Sequence, residues 1–256
     1  MDKLFTDEQG APRRVRGVTV NSGSTLLAGL AAEIGFEAVW VEMEHSPINL
    51  ERVDAVCLAI EAGGAAPLVR IPDGDRHHVL RALEAGARIV VVPMIDEPDQ
   101  ARRLVEYGKY PPVGARGFNV RTRGLGFGLQ DPLEALARAN MRTHIFAQIE
   151  TPQAVANLDA ICQVEGLDGV FMGPGDLSAS MGIVGQANDP RVVEVVVNCI
   201  RRARAAGKLT GIFTVPGPLL EAAMAAGCEL VVCGGDIMDL AGAWKDLLQR
   251  IDADLP

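Results

Sequence analysis

The chain has 256 residues, 48% hydrophobic and 22% charged, which is typical of a globular protein that buries a large core without disulfides. Its formal net charge of −9 argues against a surface that follows nucleic-acid phosphates, and no apolar run is long enough to predict a membrane span. The first ten residues lack the apolar segment of a signal peptide. We therefore expect a cytoplasmic protein without a nucleic-acid or membrane partner.

The five cysteines stand in apolar stretches and form no CxxC pair. An odd number without metal-binding spacing predicts reduced, buried thiols that pack in the core. They are Cys57, Cys162, Cys199, Cys228 and Cys233.

Short β-branched runs alternate along the chain with segments of helical period, which is the pattern of repeated βαβ units. The predicted strands are Val15–Val20, Ala38–Met43, Pro67–Ile71, Arg88–Val92, Thr143–Ile149, Gly169–Met172, Leu209–Phe213 and Leu230–Cys233. The predicted helices are Ser24–Glu33, Leu50–Glu61, Arg76–Glu84, Pro98–Glu106, Pro152–Ile161, Pro190–Ala205, Pro218–Ala226 and Ile237–Ile251.

Eight such units in a chain of this length favour an α/β fold of the (β/α)8 TIM-barrel type, forming a single domain over residues 1–256. Many of the strands are apolar throughout, as strands covered on both faces must be. A doubly wound open sheet is the competing topology.

One connection, between the fourth and fifth strands, is about fifty residues long and contains the glycine-rich segment Pro111–Gly128. Loops of this length in a compact domain are usually functional or disordered. Arg116, Arg121 and Arg123 are candidates for contact with an anionic substrate or a neighbouring subunit, and a solvated surface loop is the alternative.

The active site of a (β/α)8 barrel lies at the carboxyl ends of the strands, and several predicted strands end in polar residues. The second ends in VEMEH, the third in LVRIP, the fifth in FAQIE and the sixth in FMGPGD. The candidate site residues on this rim are Glu42, Glu44, His45, Arg70, Gln148, Glu150, Gly173, Pro174, Gly175 and Asp176.

Glu150 and Asp176 come from adjacent strands, and two hard carboxylate ligands suit Mg²⁺ or Mn²⁺ with room left for a substrate. The alternative is that each carboxylate caps a helix or pairs with an arginine. The Gly173–Gly175 turn offers backbone N–H groups to a substrate carboxylate at a helix start, although such a turn is a weak signal by itself.

Among the four histidines, His45 follows a strand end, where it suits proton transfer. Its alternative is a structural role in the loop at Pro47. Arg70 suits stabilisation of a developing oxyanion, with an ion pair to Glu42 or Glu44 as a compatible alternative.

A Schiff-base aldolase needs a lysine inside the barrel, and none of the four lysines follows an apolar strand. They are Lys3, Lys109, Lys208 and Lys245. A GxSxG elbow, a P-loop and a strand–GxGxxG–helix unit are absent from the sequence, so we expect no nucleotide cofactor.

Several of these stretches together resemble the HpcH/HpaI aldolase family, and the likeness runs in order over nearly the whole chain. They are VWVEMEHSPINLE, PLVRIP, LEAGARIVVVPMIDEPDQARRLV, YPPVGARGF, QIETPQAVANLDAI and GLDGVFMGPGDLSASMG. The family's namesake cleaves 2,4-dihydroxyhept-2-ene-1,7-dioate to pyruvate and succinic semialdehyde.

The resemblance implies a barrel whose last helix is swapped within a dimer, with three dimers in a hexamer. It implies a divalent cation (Mg²⁺, Mn²⁺ or Co²⁺) held by Glu150 and Asp176, with pyruvate on the metal and its carboxylate on amides near Gly175. His45 matches the family's acid/base residue, and Arg70 matches the residue that stabilises the enolate.

Two positions depart from the family pattern, since Glu42 and Glu84 stand where it usually has aspartate. Both acids are associated with positioning the histidine and with the subunit contact. Because catalytic groups tolerate only small shifts, the extra methylene bears on the choice of acceptor.

The resemblance favours a class II aldolase that cleaves a 4-hydroxy-2-oxo acid to pyruvate and an aldehyde. The alternatives are a synthase or decarboxylase acting on oxaloacetate, and a non-catalytic protein that binds 2-oxo acids.

Overall fold

In the computed structural model, which describes residues 4–254, eight strands form one closed parallel barrel in sequence order. Closure of the sheet confirms the predicted (β/α)8 barrel and excludes the open-sheet alternative. The strands are β1 (Val15–Val20), β2 (Ala38–Glu42), β3 (Ala66–Arg70), β4 (Ile89–Val92), β5 (His144–Ile149), β6 (Gly169–Met172), β7 (Leu209–Thr214) and β8 (Leu230–Gly235).

Helices alternate with these strands and cover the outside of the barrel. They are α1 (Thr25–Ile34), α2 (Leu50–Ala62), α3 (Arg76–Glu84), α4 (Pro98–Gly108), α5 (Pro132–Arg142), α6 (Pro152–Ala156), α7 (Leu158–Cys162), α8 (Pro174–Ser180), α9 (Pro190–Ala205), α10 (Pro218–Ala225) and α11 (Asp236–Asp254). A 3₁₀ segment, Arg123–Gly128, precedes α5.

All eight predicted strands and eight helical regions are present, with ends that differ by one or two residues at most positions. The predicted helix Pro152–Ile161 was wrong as one element, because it is divided at Asn157 into α6 and α7. The Asn157 side chain donates to the Asp96 carbonyl at 2.7 Å, so a contact distant in sequence fixes the break. Two further helices, α5 and α8, lie outside the predicted helical segments, although a helix start is expected at the Gly173–Gly175 turn.

The strands are apolar because both of their faces are covered. Inside the barrel, large side chains such as Phe146 and Phe171 fill the interior. Outside it, a larger cluster joins the strands to the surrounding helices. Four of the five cysteines are buried in the reduced form and Cys233 is half-buried, in line with their predicted packing role.

The register of neighbouring strands determines which side chains meet at the rim. Glu42 at the end of β2 pairs with Arg70 at the end of β3, and Gln148 of β5 pairs with Phe171 of β6. The carboxyl ends of the strands therefore bring these side chains to one end of the barrel.

The long connection after α4 packs against the opposite, amino-terminal end of the barrel. Arg116 is buried over the Tyr110 ring, and Asn140 of α5 bonds to both backbone groups of Tyr110. A fully solvated surface loop is therefore wrong for the Arg116 and Arg123 region, although Arg121 is exposed. No helix within residues 4–254 combines the length and apolar character needed to cross a membrane.

Glycines on β6 and β7 make room for the aromatic side chains of the barrel interior. A Cβ at Gly169 would lie 2.5 Å from a Phe146 ring carbon and 2.6 Å from the Leu209 carbonyl oxygen. We expect Gly169→Ala to lower the free energy of unfolding by about 1–3 kcal/mol, because backbone and a buried ring cannot both move away. Urea unfolding followed by circular dichroism measures the change.

Gly29→Ala in α1 is the matched control, since the nearest atom to its Cβ is the Ala59 carbonyl oxygen at 3.9 Å. Here alanine is expected to stabilise the helix by roughly 0.5–1 kcal/mol. Equal effects of the two substitutions would contradict the close packing at Gly169.

Candidate active site

A cavity of about 230 Å³ opens at the carboxyl end of the barrel. It is formed by strand ends and by the start of α8, which is where enzymes of this fold hold their substrates. Its lining residues are Thr19, Asn21, Trp40, Glu42, Arg70, Gln148, Phe171, Met172, Gly173, Pro174, Gly175, Asp176 and Phe213. Of the ten predicted rim residues, seven line this cavity.

The buried carboxylate of Glu42 connects three parts of the site. Its Oε2 accepts a hydrogen bond from Trp40 Nε1 at 2.9 Å and from Arg70 Nε at 2.7 Å. Its Oε1 accepts from the backbone N–H groups of Glu44 at 2.6 Å and His45 at 3.1 Å. Glu42 therefore fixes both the arginine and the turn that carries the histidine.

The guanidinium of Arg70 is held on two sides by carboxylates. Arg70 Nη2 lies 2.7 Å from Glu42 Oε2, and Nη1 lies 3.0 Å from Glu44 Oε2. Its carbon stands 5.2 Å from the centre of the Trp40 ring. The predicted ion pairs are thus both present, and they orient a positive fork towards the cavity.

Glu150 is 2% exposed and lies beside the cavity behind Gly173. Its carboxylate accepts from the Met94 backbone N–H at 2.7 Å and from the Gln148 amide nitrogen. A Cβ at Gly173 would lie 2.7 Å from Glu150 Oε2, so any larger residue at this position would displace the carboxylate oxygen. The alternative role of Glu150, a helix cap or arginine partner, is not what the structure shows.

The pKa of Glu150 is raised to about 7, mainly because the group is buried; the charges of Asp176 and Glu44 also raise the pKa, and the hydrogen bonds from Met94 and Gln148 lower it. The amide oxygen of Gln148 is buried, with no hydrogen-bond partner among residues 4–254. Like-charged carboxylates and an unused oxygen at one place fit a hard cation.

No three His, Cys, Asp or Glu side chains within the described residues come close enough to hold a metal ion together. Two carboxylates with remaining positions for water and substrate are the donor set that Mg²⁺ and similar ions accept. The residues present therefore fit a divalent cation that is completed by its substrate.

His45 and Glu84 lie outside the cavity of their own chain. The His45 side chain is 60% exposed at the rim, with Nε2 3.7 Å from Glu44 Oε2. Glu84 ends α3 at the other end of the barrel, where its charge acts on Tyr110 and Arg116. A role for Glu84 at this site would require another copy of the chain.

The described lysines also lie away from the cavity. Lys109 pairs with Asp168 at 2.8 Å, Lys208 donates to the Leu167 carbonyl at 2.7 Å, and Lys245 is exposed on α11. Lys3 lies outside the described residues.

Sequence reasoning missed Trp40, whose indole N–H fixes Glu42. Side chains two residues apart on a strand lie on the same face of the sheet. The sequence spacing therefore predicts contacts of Trp40 with Glu42 and of Gln148 with Glu150. The contact of Met94 with Glu150 cannot be predicted from side-chain spacing, because Met94 contributes its backbone N–H from a left-handed conformation with φ 55°.

The sequence matches the family described as HpcH/HpaI aldolase/citrate lyase over residues 17–243. This chain belongs to that family. The 2-keto-3-deoxy-L-rhamnonate aldolase of Klebsiella pneumoniae is 37% identical over 223 residues, covering 87% of this chain and 83% of that protein. As a member of the HpcH/HpaI family with such relatives, the chain is a carbon–carbon lyase.

Solved structures of the HpcH/HpaI family agree with the barrel described above. An HpcH/HpaI aldolase from Desulfitobacterium hafniense superposes with a TM-score of 0.88 at 30% identity, covering 95% of this chain and 94% of that one. The citrate synthase SbnG superposes with a TM-score of 0.80 at 28% identity, covering 94% and 93%. Proteins named as aldolases and as a synthase therefore share this barrel.

The raised pKa of Glu150 has a consequence for metal-free protein. The pKa of Glu150 is about 7 in the folded protein, against an ordinary value of 4.5. The protonated carboxyl therefore stabilises the fold fully below pH 4.5, and this stabilisation is lost as the pH rises through 7. We expect Glu150→Gln to raise the free energy of unfolding by about 1–3 kcal/mol at pH 8 in EDTA.

Urea unfolding at pH 8 and pH 5 measures this effect, and the gain should shrink at pH 5, where the native carboxyl is protonated. Glu51→Gln on the exposed start of α2 is the control and should change neither value appreciably. A variant that is less stable than the parent at pH 8 would contradict the electrostatic account of Glu150.

Proposed function

We propose that this enzyme cleaves a 4-hydroxy-2-oxo acid to pyruvate and an aldehyde, and catalyses the reverse aldol condensation. The observation that carries the proposal is the Arg70 guanidinium, fixed by Glu42 and Glu44 at a cavity that also holds Asp176. A cation so oriented suits the stabilisation of an enolate oxygen. The aldolase names of the family's relatives support the same class of reaction.

We infer that Glu150 and Asp176 hold a divalent cation of the Mg²⁺, Mn²⁺ or Co²⁺ type. When bound, such an ion would act as a Lewis acid on the 2-oxo group of the substrate. The support is the fit described above: two carboxylates, the unused Gln148 oxygen and the small residue at Gly173.

Residues at the rim of the barrel carry out the proton transfers. His45, directly or through a water, takes the proton of the substrate's C4 hydroxyl. The C3–C4 bond then breaks, the aldehyde carbonyl forms at C4, and the electron pair passes into the C2–C3 enolate. Arg70 balances the negative charge that collects on the C2 oxygen, and return of a proton to C3 gives the methyl group of pyruvate.

The substrate carboxylate is placed at the start of α8. The first N–H groups of a helix have no partner within it, and Gly175 and Asp176 line the cavity at that point. Thr19, Trp40 and Phe213 form the remaining wall and are suited to contact the aldehyde portion.

We also propose that the active form is an oligomer in which α11 packs on a second chain, with a hexamer of three dimers as the complete assembly. Leu247, Leu248 and Trp244 of α11 are at least half exposed. On α1, Leu26 and Leu30 form an exposed apolar stripe of helical spacing. The apolar face of α11 from one chain would cover the apolar stripe on α1 of another. The neighbouring chain would also be the source of Glu84.

A condensing synthase or a decarboxylase that acts on oxaloacetate or a related 2-oxo acid is the second candidate. It is favoured by the likeness to the citrate synthase SbnG and by the shared need for a stabilised enolate. The two candidates differ in the substrate that supplies the enolate or reacts with it, and Arg70 stabilises the enolate oxygen in both.

Exchange of the pyruvate methyl protons in D₂O, followed by NMR, tests enolate formation without knowledge of the aldehyde. We expect exchange that requires Mg²⁺ or Mn²⁺ and stops with EDTA. In Arg70→Ala the rate should fall by about 10²–10³-fold, as when an oxyanion donor is removed. Arg201→Ala, an exposed position on α9, is the matched control and should retain the rate.

Manganese binding measured by electron paramagnetic resonance separates the causes of any loss, since Arg70→Ala should still bind the ion and Glu150→Gln should bind it poorly. Absence of exchange in folded, metal-loaded protein would overturn the pyruvate aldolase and favour oxaloacetate as the enolate source. Binding of pyruvate without exchange or oxaloacetate turnover would instead support a non-catalytic role.

The proposed swap of α11 predicts that a charge on the α1 stripe disrupts assembly. Leu30→Glu should shift the molar mass in solution to that of a single chain, as measured by light scattering after size exclusion. Val184→Glu, at another exposed apolar position, should leave the mass unchanged. An unchanged mass for Leu30→Glu would contradict the docking of α11 on this stripe.

A further inference from the structure

A second cavity, of about 260 Å³, lies at the opposite end of the barrel from the catalytic one. It is bounded by the starts of β4 and β5, the ends of α2 and α3, the long connection and α5. Five arginines line it: Arg88, Arg116, Arg123, Arg138 and Arg142. In a chain with a net charge of −9, this is a marked local concentration of positive charge.

Carboxylates near the cavity neutralise these arginines only in part. Glu61 is the acid in the lining, and its Oε2 lies 3.8 Å from Arg123 Nη1. Asp54 Oδ1 lies 3.8 Å from Arg123 Nη2, and the charge of Glu84 acts on Arg116. Arg138 and Arg142 form no ion pair with a carboxylate among the described residues, so two positive charges remain at the cavity that a dianion would balance.

Arg116 is the residue that points to a missing acceptor. It is 5% exposed, and its guanidinium carbon lies 4.6 Å above the Tyr110 ring. Its Nε is buried with no hydrogen-bond partner among the described residues, as are Nε and Nη1 of Arg123. A buried N–H group of a guanidinium without an acceptor is costly, and burial lowers the pKa of Arg116.

We propose that this cavity binds a phosphate dianion, either free or as the phosphoryl group of a small metabolite. Arginine forks match the geometry of phosphate oxygens and form charge-assisted hydrogen bonds with them. Arg116 and Arg123 supply donors from the long connection, while Arg138 and Arg142 supply them from the exposed face of α5. The site is separate from the catalytic cavity and takes no part in carbon–carbon bond cleavage.

Binding at this site would add a common ligand to three segments that already pack together through Asn140, Tyr110 and Lys109. The long connection, α5 and the barrel end each contribute at least one guanidinium. Because the complete site exists only in the folded chain, phosphate should stabilise the fold by mass action.

Isothermal titration calorimetry of metal-free protein with inorganic phosphate, at constant ionic strength set by chloride, tests the proposal. The double variant Arg138→Gln/Arg142→Gln should bind at least about tenfold more weakly, because each lost charged hydrogen bond contributes more than 1 kcal/mol. Both side chains are exposed, so the fold should be retained. The control Arg102→Gln/Arg103→Gln makes the same charge change on the exposed face of α4 and should bind like the parent.

Titration with 3-phosphoglycerate distinguishes the two sources of the phosphoryl group. Tighter binding than inorganic phosphate, lost in the α5 variant, identifies an organic phosphate as the ligand, and equal binding identifies free phosphate. Absence of binding, or binding that both double variants retain, would overturn the proposal, the latter because the phosphate would then lie elsewhere, such as at the start of α8.

Discussion

The buried carboxylate of Glu42 is the group on which the catalytic end of the barrel depends. It receives hydrogen bonds from β2, from β3 and from the turn after β2, so one side chain sets the positions of Arg70 and His45 together. The β2–β3 register makes this possible by placing Glu42 opposite Arg70. Without Glu42, the Arg70 guanidinium would keep only the Glu44 carboxylate as an ion-pair partner among the described residues, which links the stability of the rim to its chemistry.

The two ends of the barrel have opposite electrostatic character although they share the same strands. At the carboxyl end, the carboxylates of Glu44, Glu150 and Asp176 gather negative charge, which favours binding of a cation. At the amino end, arginines outnumber carboxylates, which favours an anion. The packed aromatic interior of the barrel lies between these two ends.

The fold and most of the rim could be predicted from the sequence, because buried strands are apolar throughout and their carboxyl ends must meet. The remaining features depend on contacts between distant segments. Asn157 divides a helix by bonding to Asp96, and Met94 contributes a backbone group that no side-chain pattern reveals. The spacing placed Glu84 at the end of α3, but only the folded chain shows how far that lies from His45.

The left-handed backbone at Met94 couples the loop after β4 to the state of Glu150. A non-glycine residue with positive φ costs about 1–3 kcal/mol and persists only where surrounding contacts hold it in place. The Glu150 carboxylate provides one such contact by accepting from the Met94 N–H at 2.7 Å. A change of charge at Glu150, by protonation or by binding of a cation, therefore alters one of the contacts that hold the backbone at Met94, between β4 and α4.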